Sequence, residues 1–109
     1  MKLFAHWNDL PQIQLPDMER KLFYGKDIML ARNEIHPRAV LPMHSHPQEQ
    51  MLLVLSGACD VVTGEEKMHL EEGGMAFFPS NVEHMVINTE DVPLVGLDVF
   101  TPIREDFLK

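Results

Sequence analysis

His44-Ser45-His46 sets two imidazoles two positions apart. On an extended chain, positions i and i+2 point the same way, so two ring nitrogens can converge on one point. That is metal-ligand chemistry. Pro42 and Pro47 flank the pair and stiffen it, which lowers the entropy lost on coordination. Gln50 has the same parity and could offer its amide oxygen to the same point. A third imidazole, His84, follows the Pro79-Ser80-Asn81 turn and shares a strand face with Val86 and Asn88. His6, His36 and His69 lack such spacing and read as polar surface side chains.

A second group lies near the C-terminus. Gly96, Asp98 and Phe100 share one strand face, and if Leu97 and Val99 pack outside, Asp98 faces the interior. A carboxylate in apolar surroundings is costly without a partner or a task. Desolvation would raise its pKa and a neighbouring cation would lower it, and either setting suits general acid or base work. Arg104 follows Thr101-Pro102 and can fold over a cavity mouth, where its fork would hold a carboxylate. The simpler alternative is a pair with Glu105 or Asp106. Arg32 is another basic candidate, though a surface pair with Glu34 is its plainer reading. Cys59 has no adjacent His and reads as a structural thiol. No Gly-rich phosphate loop is present.

These residues sit among short apolar or alternating runs: 28–35, 51–55, 59–63, 67–70, 75–78, 84–87 and 94–100. Turn residues separate them at close intervals, with eight Pro and six Gly in all. The pattern predicts an all-β sandwich or barrel in one domain, 1–109, with a short helical turn over 104–108. At 109 residues and 45% apolar content, one core is feasible and two domains are not. Nine Lys and Arg against seventeen Asp and Glu leave a net charge of −8, which argues against nucleic acid and against an anionic membrane. No apolar run is long enough for a signal peptide or a membrane span, and a single cysteine fits a reducing cytoplasm. Met51 to Leu55 is apolar on both faces, so its outer face needs a cover, and we expect a homodimer.

Two stretches resemble the motifs of the cupin family. Pro42-Met43-His44-Ser45-His46-Pro47-Gln48-Glu49-Gln50, closed by Gly57, is similar to the first motif (about 38–57). Gly73, Pro79, His84 and Asn88 are similar to the second (about 73–88). Two usual glycines are replaced, by Arg38 and Asn81. The resemblance implies a cupin double-stranded β-helix, a jelly-roll barrel of six to eight strands, with a metal inside. It implies His44, His46, Gln50 and His84 as ligands, with Glu49 as the alternative fourth if the register slips by one. Such a neutral set of N and O donors suits a divalent transition metal: Mn, Fe, Co, Ni or Zn.

The run from Leu97 to Leu108 resembles the C-terminus of the pectin-degradation cupins, which open the ring of 4,5-unsaturated uronates. That resemblance implies catalytic roles for Asp98 and Arg104 on a small carboxylated substrate. Another metal cupin chemistry (dioxygenase, lyase or isomerase) and a non-enzymatic ligand-binding role are the alternatives.

Overall fold

The computed structural model describes residues 2–109. Its ten strands are β1 (Ile13–Gln14), β2 (Met18–Tyr24), β3 (Met29–Ile35), β4 (Val40–His44), β5 (Glu49–Ser56), β6 (Cys59–Thr63), β7 (Glu66–Leu70), β8 (Met75–Phe78), β9 (His84–Asn88) and β10 (Leu94–Thr101). Short 3-10 turns cover Trp7–Asp9 and Glu105–Leu108, the second where a C-terminal helical turn was expected. The strands form two antiparallel sheets, ordered β1-β2-β3-β10-β5-β8 and β4-β9-β6-β7. This is the jelly roll that the motifs implied, with ten strands in place of the six to eight expected.

The seven apolar runs all became strands. The three further strands carry weaker patterns. In β2, Met-Glu-Arg-Lys-Leu-Phe-Tyr has charge on both faces, so alternation is masked. In β4, Pro42 breaks the pattern, and it is accommodated because β4 is an edge strand that can spare an amide donor. Two residues are too few for β1 to show any period.

Alternation sets what is inside. The faces Met29-Ala31-Asn33-Ile35 on β3, Gly96-Asp98-Phe100 on β10 and His84-Val86-Asn88 on β9 are buried. The main core gathers Met18, Ile35, Leu52, Val54, Cys59, Val61, Phe78, Val86 and Leu94 between the sheets. Each such side chain contributes about 1.5–3 kcal/mol on burial. A smaller cluster of Met29, Ala31 and Phe100 is closed by Leu22, Ile103 and Phe107.

The two replaced glycines keep the left-handed backbone: Arg38 and Asn81 each have φ 62°. Asn tolerates this conformation readily and Arg does so at a cost. Gly57 has φ 89°, and a Cβ there would stand 3.0 Å from the Pro93 oxygen and 3.3 Å from the Leu94 Cα. Gly57→Ala is therefore expected to cost roughly 2 kcal/mol, read as a lower midpoint in urea with an unchanged m-value.

Cys59 is fully buried, and burial first, then the charges of Asp60 and Asp98, pushes its thiol up to about 11. The folded protein should resist iodoacetamide at pH 8 and react at this one site once denaturant opens the core, as mass spectrometry would show.

Candidate metal centre and the cavity beside it

Three side chains meet where β4 and β9 pair. The register between these strands shifts between Leu41 and His44, around Pro42, and sets His44 directly across from His84. His46 comes from the turn that leads into β5. One ligand nitrogen from each of His44, His46 and His84 can be chosen so that all lie within 4.8 Å of one another. The ring centroids are 5.6 Å (44–46), 4.4 Å (44–84) and 4.9 Å (46–84) apart.

Each ring is oriented by its own backbone. Nδ1 of His44 donates to the Pro42 carbonyl at 2.9 Å, that of His46 to Gln48 at 3.0 Å and that of His84 to Val82 at 3.0 Å. The Nε2 lone pairs of His44 and His84 are thereby left free, the arrangement that ligating histidines need, while that of His46 faces the Gln50 amide oxygen. The His84 ring stacks on Phe78 at 4.2 Å and 4°. Its Nε2 is buried without any hydrogen-bond partner. An orphaned buried acceptor costs about 1–3 kcal/mol, a cost that a bound cation would remove. Burial pushes His84 down to about 4 against the opposing carbonyl of Val82, and the charges of His44, His46 and Arg104 add to the fall. Burial also lowers His46, with help from the Arg104 charge. Both rings are neutral at pH 7, the form that ligates metal.

Gln50 lies beside them. Its Oε1 stands 3.0 Å from His46 Nε2, and its Nε2 donates to Asp98 Oδ1 at 2.9 Å. Asp98 thus fixes which end of the amide faces the imidazoles. About 3 Å is also the separation of two donors that share one ion at about 2.1 Å each. Glu49 is exposed on the other face of β5.

Asp98 is 8% exposed and faces inward, as its parity predicted. Its second oxygen accepts from Asn33 Nδ2 at 2.8 Å. Burial pushes its carboxyl up to about 6, over the opposing hydrogen bond from Gln50, the charge of Arg20, the hydrogen bond from Asn33 and the charge of Arg104. Asn33 Oδ1 in turn accepts from Arg20 Nε at 2.8 Å. A continuous hydrogen-bonded chain therefore runs Gln50–Asp98–Asn33–Arg20, with the Gln50 amide oxygen turned to His46.

These groups line a cavity of about 310 Å³. The smaller sheet contributes His44, His84 and Val86, and the larger sheet Met18, Gln50, Leu52 and Asp98. Arg20 and Phe100 belong to the larger sheet as well, and Arg104 and Phe107 reach the cavity from the C-terminal turn. Arg104 reaches the cavity, but its fork is on Asp106, with Nε to Oδ1 at 3.1 Å and Nη2 to Oδ2 at 2.9 Å. Arg32 points outward, 3.9 Å from Glu34, the surface pair anticipated for it. His36 and His69 pair with surface acids, and His6 caps the first 3-10 turn.

Arg20, Asn33 and Phe107 were not singled out from the sequence. A signal existed in parity: Asn33 is the one polar residue on the face Met29-Ala31-Asn33-Ile35, and Arg20 lies between Met18 and Leu22 on one face of β2. The Phe107 role depends on a turn whose path the sequence does not state.

Comparison with known proteins agrees with this architecture. The cupin-domain family model matches residues 31–100. Germin-like protein 1 of Brassica napus is 30% identical over 83 residues, which cover 71% of this chain and 40% of that protein. The auxin-binding protein ABP19b of Prunus persica matches to the same extent. The chain therefore spans about 40% of the length of these curated relatives.

Among solved structures, an RmlC-like cupin from Shewanella frigidimarina superposes with TM-score 0.90 at 21% identity, covering 98% of this chain and 96% of that one. KdgF from Halomonas sp. superposes with TM-score 0.88 at 26% identity, covering 98% and 99%. A predicted oxalate decarboxylase from Thermotoga maritima superposes at 0.82 with 16% identity, covering 93% and 100%. With both motifs, the two-sheet barrel and its inward imidazole triad in place, the chain belongs to the cupin-domain family.

Proposed function

We propose that this chain is a metal-dependent enzyme acting on a small carboxylated sugar, opening the ring of 4,5-unsaturated uronates. The observation that carries the reading is Asp98, a buried carboxyl that holds the Gln50 amide beside the three-imidazole cluster and lines the same cavity as Arg104. The resemblance of the C-terminal run to the pectin-degradation cupins supports it. So does the superposition with KdgF over nearly the whole of both chains.

His44, His46, His84 and Gln50 would hold the ion. A divalent transition metal bound there would act as a Lewis acid on a sugar oxygen. Asp98 holds and moves the proton: its raised pKa, about 6, keeps both protonation states within reach near neutrality. Ring opening breaks the bond between the anomeric carbon and the ring oxygen as the anomeric hydroxyl gives up its proton, and the enol so released becomes the keto form when a proton is delivered to C4. A single carboxyl can serve both steps. Phe100 and Phe107 make part of the lining apolar, and the guanidiniums in the cavity offer the site for the substrate carboxylate.

The test follows the ultraviolet absorbance of an unsaturated uronate with the purified full chain. Accelerated loss that stops on chelation and returns with Mn, Ni or Zn supports the reading. No acceleration with any of these ions overturns it. Oxygen uptake with ferrous iron would assign dioxygenase chemistry in its place.

We further propose a homodimer. On the outer face of the larger sheet Val99, Met51 and Phe77 stand in one cross-strand row, and Leu97, Leu53 and Met75 in the next. Met51, Met75 and Phe77 are 54%, 69% and 44% exposed. Across β10, β5 and β8 these rows carry no charge, and two chains can meet there with each covering the other's identical patch. Sedimentation should give twice 12.5 kDa, and Met51→Asp should return it to the monomer. The compartment proposed is the cytoplasm, supported by the free buried thiol of Cys59. No helix among the described residues is long and apolar enough to cross a membrane.

A further inference from the structure

The cavity holds two guanidiniums in different states. Arg104 spends both arms of its fork on the Asp106 carboxylate, which lies largely in solvent with 59% of its side chain exposed. Arg20 meets no carboxylate within ion-pair distance among the described residues. Its Nε donates to the neutral Asn33 amide, its Nη2 reaches only the Met18 sulfur at 3.4 Å, and its Nη1 makes no hydrogen bond to a described residue. Its guanidinium lies over the Phe107 ring, 3.8 Å from the centroid, and Arg104 lies against the same ring at 4.2 Å. A half-buried cation held by an amide, a sulfur and an aromatic face is positioned and not neutralised. That combination leaves charged donors available to an anion.

From this arrangement we propose that Arg20 is the resident carboxylate-binding side chain of the cavity, and that Arg104 joins it when the incoming anion replaces Asp106 on its fork. The proposal rests on the carboxylated-substrate reading above and adds the residue that sorts acids from neutral sugars. The surrounding charge agrees. Gln50 and Asn33 are uncharged, and Arg104 is already balanced by Asp106. Asp98 and Asp106 are the acids whose charge reaches Arg20; Asp106 is spent on Arg104, and Asn33 stands between Arg20 and Asp98, accepting from the one and donating to the other. Asn33 thus keeps Arg20 from collapsing onto Asp98. Asp106 already forms the two-point contact that a substrate carboxylate would make.

A merely structural Arg20, fastening Phe107, would weaken binding of any ligand alike, so the test reads charge discrimination. Calorimetry on the full chain compares galacturonate with galactose, its uncharged counterpart. The wild type should favour the acid by roughly ten- to a hundredfold, the range for hydrogen bonds to charged groups. Arg20→Gln should remove most of that preference while leaving galactose binding unchanged. Arg20→Lys, which keeps charge and bulk, should restore part of it. Asp106→Asn should tighten galacturonate and leave galactose unchanged.

A wild type that favours the acid beside an Arg20→Gln protein that favours it equally overturns the role of Arg20 and leaves the proposed function standing. An unchanged galacturonate affinity in Asp106→Asn overturns the displacement step. A wild type with no preference overturns both this proposal and the carboxylated-substrate reading.

Discussion

Asp98→Asn is expected to lower turnover of an unsaturated uronate by about 10²- to 10⁴-fold, the range for losing a positioned general acid or base. The substitution is nearly isosteric. The amide oxygen can still accept from either Asn33 or Gln50, so the fold and the cavity shape should persist. What disappears is the proton held near neutrality by a buried carboxyl at about 6. The steady-state assay should show the loss in kcat, with KM changing much less, because the carboxyl acts on the reacting atoms and the anion is held by arginine. Equal turnover in wild type and variant would remove Asp98 from the chemistry. A matching fall in metal content would assign the effect to Gln50, whose amide Asp98 orients.

His44→Ala is expected to cut metal affinity by about 100-fold or more while leaving the apo protein as stable as the wild type. Removing an oriented ligand costs at least as much as removing the group that orients it. His44 is exposed, so no core packing is lost, unlike at His84, whose ring stacks on Phe78. Elemental analysis after dialysis would read the metal directly. Thermal unfolding supplies an independent check by linkage. A ligand at a thousand times its Kd stabilises by about 4 kcal/mol, so a chelator should lower the wild-type midpoint and leave that of His44→Ala unmoved. A variant that still retains metal after dialysis would show that the remaining donors suffice and that His44 is no ligand.

The strand pattern and the His44–His46 pair could be read from the chain because both rest on local rules; that His84 joins the pair was implied by the cupin resemblance and is realised by the β4–β9 register. Alternation of period two decides which residues of β3, β9 and β10 face inward, and the structure follows it at Asp98, His84 and Asn88. The His44-Ser45-His46 spacing and the turn residues at Gly57 and Asn81 are local in the same sense. The strands that escaped notice, β1, β2 and β4, are those where charge, proline or brevity hides the alternation.

What only the tertiary structure decided is how distant groups are paired. Arg20 and Asp98 are 78 residues apart in the chain, and Asn33 and Asp98 are 65 apart; no local period can state that one amide bridges the two. Nor could spacing decide between the alternatives open to Arg104, which proved to be at the cavity and on Asp106 at once. The physical reason is that strand alternation constrains a side chain's direction, whereas its partners depend on sheet order and register. Those are set by the packing of the whole core.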